Sequence, residues 1–242
     1  MKHIPKVGIP STGQVGRSSI RLLAGSPTRR AALGLVGGGL ALSCIPPAFA
    51  QRRAAQGPAE VSVEELMKPN PLGEVIVGRA DAPVTIVEYA SLTCSHCATF
   101  HIKVFPVLKE KYVDTGKVRF MLREFPLDNL AAAASMLTRC VDADKTYPMI
   151  TVLFSKQDEW AFVKAPVPEL FRFAKQAGFT QETFDKCLTD QKKLDEVIGV
   201  RERAAEKFAV TATPSFFING KRHTGAPTVE DFEKALAPLL KS

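Results

Sequence analysis

The chain has 242 residues, 45% of them hydrophobic and 24% charged, with a formal net charge of +7, the balance of a globular protein with a sizeable core. The charge is uneven: residues 1–50 hold six of the 32 Lys and Arg and none of the 25 Asp and Glu, so the remainder is close to neutral. That excludes a basic nucleic-acid surface in the body of the chain, and the body also lacks repeats and low-complexity segments.

Arg29-Arg30 precede the uncharged run AALGLVGGGLALSCIPPAFA, which ends in Ala48-Phe49-Ala50. A basic stretch, a short apolar run and an A-x-A site make the pattern of a cleaved secretory signal, expected over residues 1–50 with Gln51 as the new terminus. The run is too short and glycine-rich for a comfortable membrane span, and its glycines disfavour a core helix. The paired arginines admit the twin-arginine export route beside the general one. Cys44 leaves with the signal, so five cysteines become four: Cys94, Cys97, Cys140 and Cys187. An even number in an exported chain points to an oxidising compartment, the periplasm, and to thiols that can pair.

Residues 51–71 are polar and read as a leader segment or short helix, with Val61, Val63, Leu66 and Met67 as a small apolar seam. VTIVEYA, Val84 to Ala90, is a nearly continuous apolar run after Pro83, the mark of a strand buried on both faces. A helix is expected from Cys97 to about Lys111, with Phe100, Val104, Val107 and Leu108 on one stripe and a kink at Pro106. KVRFMLREF alternates as a second strand, closed by Pro126.

Residues 129–208 read as a run of helices. Leu130, Ala133, Met136, Leu137, Cys140 and Val141 recur at helical spacing, as do Leu170, Phe171 and Ala174, with Gly178 at a helix end. Thr180 opens the next helix, which carries Phe184, Cys187 and Leu188. Leu194, Val197, Ile198, Arg201, Ala205 and Phe208 make a longer one. PSFFING then reads as a strand entering an Asn219-Gly220 hairpin turn, returning over Lys221 to Thr224. Thr228, with Asp231 three residues on, caps a final helix. The order is βαβ, a helical block, then ββα: an α/β sheet covered by helices, with the block as an insertion. Trp160, Phe100 and Phe216 are core residues in this reading.

Cys94 and Cys97 stand where the buried strand ends and a helix begins. A helix start presents unpaired N–H groups and the positive end of the macrodipole, which favour a thiolate. His96 is a second local source of that stabilisation. The thiolate is the reactive form, so Cys94 is the expected nucleophile and Cys97 its resolving partner. A structural disulfide and a metal site are the rival readings of this pair. Cys94, Cys97 and His101 have ligand-like spacing, but a tetrahedral site needs another ligand, and outside the motif only His223 remains.

IVEYASLTCSHC followed by a helix, with VTATPSFFING near the C-terminus, resembles the DsbA-like family of thioredoxin-fold proteins over roughly Leu72 to Leu240. The resemblance implies a thioredoxin-like fold with an inserted helical domain: residues 72–128 and 209–242 the thioredoxin-like part, 129–208 the insertion. It implies a thiol–disulfide oxidoreductase that uses the Cys94–Cys97 pair without a cofactor. It also implies a cis Thr213-Pro214 bond beside the pair and a buried acid behind it, Glu88, accepting and returning the Cys97 proton. Ser95 departs from the family, whose best-known oxidases have Pro there. Cys140 and Cys187 are buried free thiols on their own reading, whereas relatives with a second disulfide imply that they pair. Reduced exported polypeptides would be the substrates of a monomeric oxidase, a quinone-linked membrane protein similar to DsbB its electron partner. An isomerase or reductase of the same fold, usually oligomeric, and a copper- or zinc-binding thiol protein are the alternatives.

Overall fold

The structure, a computed structural model, describes residues 57–240. The leader expected over residues 1–50, its cleavage position and Cys44 lie outside the described residues. VTIVEYA forms β2 (Val84–Ala90), with all seven residues buried. Such a strand can only lie at the centre of a sheet. The sheet order is β1 (Val75–Val77), β3 (Val118–Glu124), β2, β4 (Ser215–Ile218), β5 (Lys221–Arg222). β2 and β3 run parallel, while β1–β3, β2–β4 and β4–β5 are antiparallel. This is the α/β thioredoxin-like arrangement, with a helical block between β3 and β4.

The β2–β3 crossover is helical from Ser95 to Val113 but not uniformly α-helical. An α-helical start, α2 (Ser95–Thr99), passes through a π turn at Phe100–Val104 into α3 (Phe105–Leu108), and a second π turn covers Lys109–Val113. Pro106, where a kink is expected, stands between the two wide turns. It has no N–H, and its ring crowds the preceding turn. The Phe105 N–H reaches back five residues to the Phe100 carbonyl, and this wider turn accommodates the proline without ending the helix.

The block holds α4 (Asn129–Thr138), α5 (Ala143–Ser155), α6 (Gln157–Trp160), α7 (Pro166–Gln176), α8 (Gln181–Leu188) and α9 (Gln191–Phe208). Side chains cap three of its six starts, those of α4, α8 and α9. Asp128 accepts the Ala131 N–H at 2.7 Å, and Thr180 and Thr183 form a reciprocal capping box. α5 leaves no clear periodic signal, because Pro148 sits inside it. A proline there costs ~3 kcal/mol. Burying Met149, Ile150, Leu153 and Phe154 contributes ~1.5–3 kcal/mol each, so tertiary packing wins. Thr228 caps α10 (Val229–Leu236) by accepting the Asp231 N–H.

Each sheet face has its own core. Ile86, Phe120, Leu122 and Phe216 pack with Phe100, Phe105, Leu153, Phe154, Trp160 and Phe232. On the other face Val87, Tyr89, Met121 and Phe217 meet Val200, Ala204 and Phe208 of α9. The segment read as a leader joins this second core through Val61 and Leu66 of α1 (Val63–Leu66). It also covers the sheet edge: the Val61 N–H donates to the Gly220 carbonyl at 2.9 Å and the Arg222 N–H to that of Ala59 at 2.8 Å. Gly220 is required there, since a Cβ at its φ of +85° would lie 2.7 Å from Val63 Cγ1's twin methyl, Cγ2.

Candidate active site

β2 ends at Ala90, and the turn Ser91–Thr93 delivers Cys94 to the start of α2. Hydroxyls fix this turn: the Leu127 N–H donates to Ser91 Oγ at 3.3 Å and the Thr93 hydroxyl to Asp128 Oδ2 at 2.7 Å. Cys94 is the N-cap, in extended conformation, and its Sγ accepts the Cys97 N–H at 3.4 Å. Its thiol also lies 3.4 Å from the Thr213 carbonyl oxygen. The residue is 8% exposed and Cys97 is fully buried; both are present as thiols.

The setting lowers the Cys94 value from 9.0 to about 5. The largest cause is the hydrogen bond from the Cys97 side chain; burial opposes it. The Thr213 side chain lowers it further, as do the backbone N–H groups of Cys97 and His96; the Thr213 hydroxyl is buried with no hydrogen-bond partner among the described residues. His96 thus acts through its amide, and the residue itself is exposed. Cys97 is driven strongly the opposite way, first by burial, then by hydrogen bonding to Cys94 and by the negative charge of Glu88. The two sulfurs are therefore made unequal: the outer one is a thiolate at neutral pH and the inner one holds its proton.

Glu88 faces the core containing Phe216 and Leu122, its cross-strand neighbours. Its Oε2 lies 2.7 Å from His101 Nε2, and both side chains are almost wholly buried. The His101 ring stacks on Phe154 with centroids 4.4 Å apart and planes inclined by 11°. The sequence suggests His101 only as a third metal ligand; the structure places its ring on Glu88. Its spacing of one helical turn after Cys97 was the available signal for a place behind the pair. His223, the other ligand considered, stacks on Phe232 at 4.6 Å. Among the described residues, no group of three or more His, Cys, Asp and Glu side chains is arranged to hold a metal ion.

Gln157 in α6 is a site residue without a sequence signal. Its buried amide donates to the carbonyls of Leu92 at 2.7 Å and Cys94 at 3.2 Å, so the inserted block holds the turn that presents Cys94. Thr213-Pro214 is a cis peptide and lies beside Cys94. Cys140 and Cys187 are joined by a disulfide with an S–S distance of 2.09 Å. It ties the end of α4 to α8, within the helical block.

A family model described as "Thioredoxin" matches residues 71–237. The crystal structure of Wolbachia pipientis α-DsbA1 is 33% identical, with a TM-score of 0.67, and the match covers 74% of this chain and 96% of that one. Oxidised BdbD from Bacillus subtilis, 22% identical over 78% of this chain and 99% of that one, shares the fold with a TM-score of 0.64. A Rickettsia bellii protein bearing the name of a protein-disulfide oxidoreductase is 33% identical over 148 residues, 61% of this chain. The chain spans 57% of that relative's length.

Proposed function

Because the chain belongs to the DsbA-like group of the thioredoxin-fold family, we propose that it is a thiol–disulfide oxidoreductase that donates its Cys94–Cys97 disulfide to reduced exported polypeptides in the periplasm. The observation that carries this reading is the unequal pair of sulfurs, with Cys94 held at about 5 and Cys97 far above its ordinary value. At pH 7 about two units of the Cys94 shift stabilise the reduced form, ~3 kcal/mol or about 60 mV. That favours giving the disulfide away.

In the reaction a substrate thiolate attacks Cys94 Sγ, the Cys94–Cys97 bond breaks, and its electron pair leaves on Cys97, which takes up a proton. A second substrate thiolate then attacks the substrate sulfur of the mixed disulfide. Cys94 leaves as a thiolate, and a low-value thiol leaves readily. The substrate gains a disulfide and the pair is left reduced, so electrons balance between the four sulfurs. Glu88 accepts and returns the Cys97 proton, and Thr213-Pro214 lies where a substrate strand would meet Cys94. Reoxidation falls to a quinone-linked membrane partner similar to DsbB, and the oxidase works as a monomer.

The test is oxidation of a reduced, unfolded polypeptide by the oxidised chain, with the reduction potential measured against glutathione. The expected result is stoichiometric oxidation, abolished by Cys94→Ser, with a potential more positive than thioredoxin's. Full activity in Cys94→Ser would end the reading. A thioredoxin-like potential together with a stable dimer or trimer in light scattering would favour an isomerase or reductase instead.

A further inference from the structure

We infer that His101 is a positioning residue for the resolving thiol: it holds the Glu88 carboxyl group in line, so that the pair takes the Cys97 proton when Cys97 attacks and returns it when Cys97 leaves. The inference rests on the oxidoreductase reading and adds to it a residue that the Cys–X–X–Cys motif does not contain.

A carboxylate buried at 0% exposure is strongly disfavoured unless it is paired and hydrogen-bonded. Glu88 meets that condition through one contact: Oε2 lies 2.7 Å from His101 Nε2, while Oε1 is buried with no hydrogen-bond partner among the described residues. Without the imidazole both oxygens would be unpaired, and no hydrogen bond would hold the carboxyl group in place behind Cys97. His101 cannot easily turn away. Its ring stacks on Phe154 and meets Phe105 and Phe120 at 5.7 and 6.0 Å between centroids. It lies one turn beyond Cys97 on the same helical run, and the Glu88 charge acts on the Cys97 sulfur.

Among the described residues, the ionisable groups facing the couple are few. Cys94 and Cys97 approach from the helix start, and Tyr147 of α5 feels the Glu88 charge. β3 and β4 offer Phe120, Leu122 and Phe216, and Glu124 on the same face of β3 is paired with Arg139. Lys103, two residues past His101, is exposed. A proton leaving Cys97 therefore finds its acceptor in Glu88–His101, where one proton makes the couple electrically neutral.

The balance is simple. When Cys97 attacks a mixed disulfide on Cys94, the Cys94–Cys97 bond forms, the bound thiol leaves with the electron pair of the broken bond, and the Cys97 proton passes to the couple. The reverse step returns it.

The experiment mixes the reduced chain with an aromatic disulfide that releases one coloured thiolate at each step. The first phase reports attack by Cys94, the second attack by Cys97 on the mixed disulfide. His101→Leu is expected to leave the first phase within about twofold and slow the second about tenfold at pH 7, with the lost rate recovered at higher pH. His101→Gln, which keeps an N–H for Glu88, should restore most of the second phase. Glu88→Gln should slow it, and adding His101→Leu should slow it no further. A second phase of wild-type rate and pH profile in His101→Leu overturns the inference. So does His101→Gln as slow as His101→Leu. If the leucine variant does not fold, His101→Asn, too short to reach Glu88, takes its place in the same comparison. Loss of the first phase in the wild-type chain would instead count against the oxidoreductase reading.

Discussion

Thr213 meets Cys94 through its carbonyl and also acts on it through its side chain, and the two can be separated. Thr213→Val keeps the carbonyl and the side-chain shape but removes the hydroxyl that helps hold the thiolate. A hydrogen bond to a charged group is worth ~1.5–3 kcal/mol, so the Cys94 titration midpoint should rise by about one to two units, read from thiolate absorbance against pH. An unchanged midpoint would assign the whole effect to the Cys97 side chain and the backbone amides. Gln157 offers a test of a different kind. Gln157→Leu leaves the Leu92 and Cys94 carbonyls without their buried donor and should cost ~1–3 kcal/mol in denaturant unfolding. Cys94 and Cys97 were legible from a spacing with a chemical reason, whereas Glu88 and the cis Thr213-Pro214 bond came only from the family resemblance. Gln157 and His101 were not legible, because what brings them to the site is the packing of α6 and of the turn after α2.

Elements were legible wherever one periodic signal governed a segment. β2 announced itself as an unbroken apolar run, and α8 and α10 by caps at Thr180 and Thr228. Three elements escaped for physical reasons: β1 and α6 are only three and four residues long, and α5 carries a proline that only its buried face can outweigh. The Cys140–Cys187 link makes an expectation at this scale. It closes a sequence separation of 47 residues, for which chain entropy gives ~4 kcal/mol. Replacing both cysteines by alanine should lower stability by up to that amount in thermal or denaturant unfolding. The Cys94 titration should stay in place, since the link lies within the helical block. A shifted midpoint would show that the block transmits the change through Gln157.

At the scale of the whole molecule, the lowered Cys94 value makes stability depend on both redox state and pH. A depressed folded value stabilises the reduced fold fully above the ordinary 9.0 and not at all once pH has fallen through about 5. About 3 kcal/mol of it remains at pH 7. The oxidised fold lacks this contribution, so the difference in melting temperature between reduced and oxidised protein should move by roughly 5–10 °C against the reduced form between pH 7 and pH 5. A difference that does not change with pH would count against the thiolate.

The redox account depends on the charge of one sulfur, and its titration is the most direct measurement. Alkylation of the reduced protein followed from pH 3 to 9, with Cys97→Ser to isolate the outer sulfur and wild type beside it, should show Cys94 reacting with a midpoint near 5 in the wild-type chain. The variant should titrate higher, because it loses the Cys97 thiol that is the largest cause of the shift. A wild-type midpoint in the range of an ordinary free cysteine, about 8.5, would contradict the account.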